Sequence, residues 1–342
     1  MQIRHGPRLG EFREFSTREN PPKHGRSEPL GKGSLLASAH WREYLVATVS
    51  QKRPTSARRP PKTASRSPAR TPPKHRPIGV FDSGIGGLTV AAALRELLPS
   101  EHIFYVGDTA RVPYGGKSAS TIERYSIEIA SMLLAEGAKM IVVACNTASA
   151  LAVPKLQELL RVPVLGVIQP GAAAAVAATR SKQVGVIGTR ATVQSRAYEK
   201  AIRALDPAIS VRSQACPLLV PLIEEGWLSD PVTEQVIRRY LSPLLRSGVD
   251  TLVLGCTHYP LLSQAIADFT GNGIQLVDSA QNCAAGVHAL LKKLSLAAPR
   301  AQQGGLKVAL TDPSGNFLRI AEEALNLSVG DVQLRSVQRV GM

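Results

Sequence analysis

The chain of 342 residues is poor in aromatic side chains, which make up 4% of it, and it has four cysteines, Cys145, Cys216, Cys256 and Cys283, with no CxxC pair among them. It also lacks any run of about 18 uninterrupted apolar residues, the length a membrane-spanning helix needs. The nearest approach, Val164 to Ala178, is rich in Gly and Ala and is broken by Gln169 and Pro170. Each shortage excludes a class. Scattered cysteines without a secretory signal read as thiols and not as a disulfide scaffold. Scarce rings argue against a stacking platform for single-stranded nucleic acid. Without a spanning run, the expectation is a soluble protein with no membrane partner. What is present is enough apolar content, 44%, to exclude a wholly disordered chain, and enough length for two domains.

Positive charge is unevenly spread. The formal net charge is +15, yet 17 of the 41 Lys and Arg and 5 of the 26 Asp and Glu precede Pro77, so +12 sits there and the remaining body carries +3. Between Arg53 and Pro77 the chain reads RPTSARRPPKTASRSPARTPPKHRP, in which Pro, Ser and Arg recur without apolar periodicity. Residues 1–76 therefore read as a disordered, self-repelling basic extension. Three readings compete for it: a tether to nucleic acid, an organelle transit peptide, and a segment with no role. Glu11, Glu14 and Glu19 argue against a transit peptide, and Arg58-Arg59 lacks the apolar run of an export signal. A short apolar stretch around Leu35, Leu36, Trp41, Tyr44, Leu45 and Val46 suggests one or two helical turns. With the excess confined to this segment, the body itself does not point to nucleic acid.

From Pro77 onward, short apolar runs alternate with amphipathic segments. Strands are expected at 78–82, 103–106, 139–144, 164–167, 183–187, 251–255 and 275–277. Helices are expected at 88–98, 118–136, after 145, near 171–179, and at about 195–205, 217–225 and 231–247. Runs such as Lys139 to Ala144 are continuously apolar, the mark of a parallel strand covered on both faces. The alternation specifies a doubly wound α/β architecture.

Two places look alike. Met140-Ile-Val-Val-Ala-Cys145-Asn-Thr and Asp250-Thr-Leu-Val-Leu-Gly-Cys256-Thr-His each run a buried strand into a small residue, a cysteine and two polar residues. They lie 111 residues apart, about one small domain, as an ancient duplication would leave them. Ligands of open α/β sheets bind beyond the carboxyl ends of strands, where both thiols fall. If two such domains face one another, the thiols face one another across a cleft. Either cysteine alone reads as a small core hydrophobe; the shared setting is what sets the two apart. Cys216, before Pro217, and Cys283, within a helical stretch, lack that setting. A Cys256/His258 pair is also compatible with a thiol hydrolase or with zinc, but the seven histidines are scattered and supply no further ligands at suitable spacing.

Asp82-Ser-Gly-Ile-Gly-Gly87 follows the first body strand, yet it is neither GxGxxG nor a loop ending in GK[ST], so it carries little nucleotide signal. Asp82 has a structural use as a helix N-cap, and the same placement suits it to contact an ammonium group. Ser83, Asn146, Thr147 and Thr257, with the backbone N–H groups of helix starts, could receive a carboxylate. Together these are the partners a zwitterionic amino acid requires.

Five motifs make a resemblance specific: Val80-Phe-Asp-Ser-Gly-Ile-Gly-Gly-Leu-Thr-Val90, Tyr105-Val-Gly-Asp-Thr-Ala-Arg-Val-Pro-Tyr-Gly115, Ala144-Cys-Asn-Thr-Ala-Ser149, Cys216-Pro-Leu-Leu-Val-Pro-Leu-Ile-Glu224 and Leu254-Gly-Cys-Thr-His-Tyr-Pro260. In this order they resemble the glutamate racemases, from Pro77 to the C-terminus. One departure is Gln169, where that family often carries Glu before Pro-Gly. The resemblance implies two similar doubly wound α/β domains related by a pseudo-twofold, 77–171 plus 281–342 and 172–280, with the active site in the cleft between them. It implies cofactor-free conversion of L-glutamate to D-glutamate for peptidoglycan precursor synthesis in the cytoplasm, and it is compatible with a homodimer. Cys145 would serve the D face and Cys256 the L face. Asp82 would assist Cys145, and His258 and Glu224 would assist Cys256. Asp82, Ser83, Tyr114, Gly115, Asn146, Thr147, Thr257 and His258 would surround the substrate. The chemistry fits, because a racemase without cofactor benefits from one acid/base group on each face of the α-carbon. Pyridoxal phosphate would need a lysine, and none stands at either strand end. An aspartate racemase of the same fold, and a non-catalytic amino-acid sensor or nucleic-acid binder working through the tail, are the alternatives.

Overall fold

A computed structural model describes residues 71–337, except 325, 326, 328 and 331. Residues 1–70, most of the basic extension and with it the apolar stretch near Trp41, lie outside the described residues. Its last residues form a 3-10 turn, Pro73–His75, and the Lys139 Nζ donates to the Lys74 carbonyl at 2.9 Å.

The body begins with β1 (Ile78–Asp82), α1 (Leu88–Leu97), β2 (Ile103–Gly107), α2 (Ala119–Ala135), β3 (Met140–Val143), α3 (Asn146–Leu159) and β4 (Val164–Gly166). After α4 (Ile168–Ala178) come β5 (Gln183–Gly188), α5 (Arg190–Ser195), α6 (Ala197–Leu205), β6 (Ser210–Ala215), α7 (Leu219–Glu224), α8 (Pro231–Leu245), β7 (Thr251–Gly255), α9 (Ser263–Thr270) and β8 (Gln275–Asp278). Then α10 (Ser279–Lys293) leads to β9 (Leu306–Leu310), α11 (Gly315–Arg319) and β10 (Val332–Leu334).

Two parallel sheets result, in the orders β10-β9-β2-β1-β3-β4 and β6-β5-β7-β8. Each contains the same unit, in which the first strand is flanked by the second and the third. β3 and β7 are therefore equivalent, and so are β1 and β5. Every residue of β1, β2, β3 and β7 is buried, which is why their sequences are continuously apolar. Alternate residues of β1 enter opposite cores. Ile78 and Val80 pack with Leu88, Leu94, Val287 and Leu291, whereas Phe81 packs with Ile129, Leu133 and Leu156. The second sheet is covered likewise, by Leu219, Ile237 and Leu241 on one face and by Ala172, Tyr198 and Ile202 on the other. Each such large side chain withdraws apolar surface worth about 1.5–3 kcal/mol.

Helices α4 and α10 carry the chain from the first sheet to the second and back, and β9 then pairs with β2. The expected boundaries at 171/172 and 280/281 fall inside these two helices. The helix expected at about 195–205 is α6, and a short helix not anticipated, α5, precedes it, the two separated at Arg196, which takes a left-handed φ of 55°. β6, not anticipated, is a sheet edge whose residues are intermediate or exposed, so it carries no apolar pattern. No helix among the described residues is long and apolar enough to cross a membrane.

Candidate active site

The carboxyl ends of β3 and β7 deliver Cys145 and Cys256 to one cavity of about 290 Å³. Ser83, Tyr114, Gly115, Asn146, Thr147, Glu224, Thr257 and His258 line it as well. Of the residues singled out from the sequence, only Asp82 does not. It lies beneath the wall, fully buried, its Oδ2 accepting from the Gly84 N–H at 2.9 Å and its Oδ1 from the Thr257 hydroxyl at 3.3 Å. Nor is it the helix N-cap. That position is Gly87, and Asp82 instead ties the glycine loop to the opposite half of the site.

Cys145 closes β3 with extended backbone and becomes the N-cap of α3, its Sγ accepting from the Ala148 N–H at 3.5 Å. The Ser83 hydroxyl lies 3.5 Å from the same sulfur. Burial, with the Asp82 charge adding to it, pushes the Cys145 thiol up to about 12 against the weaker pull of its hydrogen bonds with Ser83 and Ala148. At neutral pH it is a thiol. Burial raises the Asp82 carboxyl too, opposed by His258 and by the loop N–H groups.

The setting of Cys256 differs. Its Sγ is 3.8 Å from the His258 Nδ1, and the His258 Nε2 is 3.0 Å from the Glu224 Oε1. Burial disfavours a charged imidazole. Hydrogen bonds to Cys256 and Glu224, with the charges of Cys256 and Asp82, outweigh it and hold His258 up at about 10. The imidazolium is thus a cation set against the Cys256 sulfur.

The two halves of the site interlock closely at two glycines. A Cβ at Gly86 would sit 2.4 Å from the His258 Nδ1, and one at Gly115 would sit 2.9 Å from the Thr189 Cβ. Tyr114 is buried and its hydroxyl donates to the Asp108 Oδ2, which with burial drives its own ionisation far upward. The Asn146 Oδ1 accepts from the Tyr198 hydroxyl at 2.7 Å, and its Nδ2 is buried with no partner among the described residues. The amide is thus held with a free donor beside the cavity.

Sequence reasoning missed Thr189 and Arg190, which line the cavity from the end of β5. The Thr189 hydroxyl is 2.9 Å from those of Thr147 and Thr192. Their signal is topological: β5 is the counterpart of β1, so its end faces the site just as the Asp82 loop does. Cys216 and Cys283 are buried thiols that do not line the cavity. Among the described residues, no cluster of three or more His, Cys, Asp or Glu is placed to hold a metal ion.

This arrangement has known relatives. The sequence profile of the Asp/Glu/Hydantoin racemase family matches residues 88–287. The glutamate racemase of Geobacter metallireducens is 50% identical over 261 residues, covering 76% of this chain and 97% of the relative. Among solved structures, a glutamate racemase isoform of Bacillus anthracis has a TM-score of 0.74 at 39% identity over 77% of this chain and 98% of that one. The Francisella tularensis glutamate racemase in complex with D-glutamate gives 0.72 at 37% identity over 77% and 98%. The fold and site thus define an amino-acid racemase class of isomerase. Within it, the chain belongs to the glutamate racemase family.

Proposed function

We propose that the cavity interconverts L- and D-glutamate by proton transfer between two thiols, Cys256 on the L face and Cys145 on the D face. The observation that carries this reading is the pair itself: equivalent strands of two like sheets deliver one cysteine each to a single cavity. In the L-to-D direction, the Cys256 thiolate takes the α-proton and becomes a thiol. The Cys145 thiol then gives its proton to the opposite face and becomes a thiolate. The return of one proton from Cys256 and the uptake of one by Cys145, through solvent or the reverse turnover, restore the starting state. Cys256 is the thiolate of this scheme, with the His258 cation 3.8 Å from its sulfur, and burial keeps Cys145 protonated.

Charge building on the substrate carboxylate needs donors already in place. The free Nδ2 of Asn146, the hydroxyls of Ser83, Thr147 and Thr257, and the N-terminus of α3 would supply them. Asp82, through Thr257, would position this set from behind. Arg190 is the one cation besides His258 among the lining residues and would favour a substrate with a second carboxylate. D-glutamate made in this way would feed peptidoglycan precursor synthesis in the cytoplasm.

Circular dichroism of free glutamate at constant pH follows the reaction directly. Cys145→Ala and Cys256→Ala should each abolish interconversion in both directions, and wild-type rates on aspartate should fall well below those on glutamate. Full activity in both cysteine variants would remove the two-thiol mechanism, and faster turnover of aspartate would reassign the substrate.

A further inference from the structure

A second cavity, also about 290 Å³, shares no lining residue with the first. It lies between the loop after β2, the outer face of α2 and the chain beyond β9 and β10, and it holds two guanidinium groups. Arg111 and Arg124 both lie against Tyr125, at 4.0 and 5.2 Å from the ring centroid. Such stacking fixes a guanidinium plane while leaving its N–H edge free to donate.

The acidic groups of the cavity are already engaged. Asp108 is fully buried and accepts from the Arg111 Nε at 2.7 Å, the Thr311 hydroxyl at 2.9 Å and the Tyr114 hydroxyl. Glu128 is 4% exposed and accepts from the Arg111 Nη1. The two guanidinium charges balance the two carboxylates, but two donors are left over: the Arg111 Nη2 is buried with no hydrogen-bond partner among the described residues, and Arg124 is exposed at the rim. A buried charged donor left unpaired is costly, and an oxyanion is the acceptor that matches a guanidinium edge best.

We propose that this cavity is a binding site for a small molecule bearing a phosphate or carboxylate group, which takes a charge-assisted hydrogen bond from the Arg111 Nη2 and a second contact from Arg124. It is separate from the catalytic cavity, from which the Asp108–Tyr114 pair divides it.

Calorimetric titration of the full chain with inorganic phosphate, and separately with succinate, at constant ionic strength tests this. Arg124→Ala is the informative variant, since Arg124 is exposed and its loss leaves the buried Arg111–Asp108–Glu128 cluster intact. Arg190→Ala is the control, removing the cation of the catalytic cavity. The expected result is saturable binding of at least one probe that persists in Arg190→Ala, where dicarboxylate binding in the catalytic cavity is weakened, and that falls about tenfold or more in Arg124→Ala. Phosphate binding alone identifies a phosphate-bearing ligand, and succinate binding alone a carboxylate. Absence of saturable binding by either probe, or binding that Arg124→Ala leaves at the wild-type value, overturns the proposal.

Discussion

Cys145 and Cys256 follow equivalent strands of the unit that the two sheets share, yet almost nothing around them is the same. Cys145 has a hydroxyl, a helix N–H and a buried carboxylate behind it. Cys256 has an imidazole, itself held by a glutamate. The repeated scaffold explains why two thiols meet, and the diverged neighbours give each sulfur its own electrostatic surroundings. A two-base racemisation needs one thiol and one thiolate, and unlike surroundings can favour one assignment of the proton over the other. The lesson is that topology places the two sulfurs and the loops set what surrounds each of them.

The strongest way to break this comparison is to remove the group that makes the halves unlike. His258→Gln keeps a polar side chain but loses the cation beside Cys256. We expect kcat for L-glutamate to fall about 10²-fold or more, the scale of a general acid–base contribution. The two enantiomers have equal free energy in water, so kcat/KM must fall by the same factor in both directions. The asymmetry will appear in kcat and KM taken separately, with the L-to-D kcat falling more. Equal losses of kcat in both directions would show that His258 does not distinguish the halves.

Gly86→Ala tests the interlock between them. A Cβ there would meet the His258 Nδ1 at 2.4 Å and the Thr257 Oγ1 at 2.7 Å, so both must move. Overpacking of this kind costs about 1–3 kcal/mol of stability, readable as a lowered urea midpoint. Activity should drop about tenfold or more, because a small misplacement of an acid/base group is felt strongly. Wild-type kinetics would show that the His258 position is not critical.

How much of this was legible in the sequence follows from burial. β3 and β7, covered on both faces, read as continuous apolar runs, and the cysteines at their ends stood out for that reason. β6 at a sheet edge, SVRSQA, offered no apolar run at all. β9 and β10 join the first sheet after a second sheet has intervened, and no local pattern announces a partner so distant in sequence. Thr189 and Arg190 belong to no motif and are placed by the likeness of β5 to β1. Asp82 was legible as a strand-end carboxylate. That it would sit under Thr257 and away from the cavity depends on how the glycine loop folds back over it, which spacing alone does not specify.

Glu224 gives the smallest and most discriminating effect. Its side chain is 36% exposed, so its bond to His258 is partly screened by water, and Glu224→Gln should lower kcat only about tenfold or less. The sharper readout is pH. Glu224 is one of the groups holding His258 up at about 10, so losing its charge lowers that value and moves the alkaline limb of kcat to lower pH. Stability follows the same sign. A histidine whose folded value is raised above its ordinary 6.5 contributes stability that is fully present below 6.5 and is lost as pH rises through about 10. Wild type should therefore exceed Glu224→Gln in urea midpoint near pH 6, and the two should converge as the pH passes 10. A gap that stayed constant across this range would mean that Glu224 stabilises α7 by packing and has no electrostatic hold on His258.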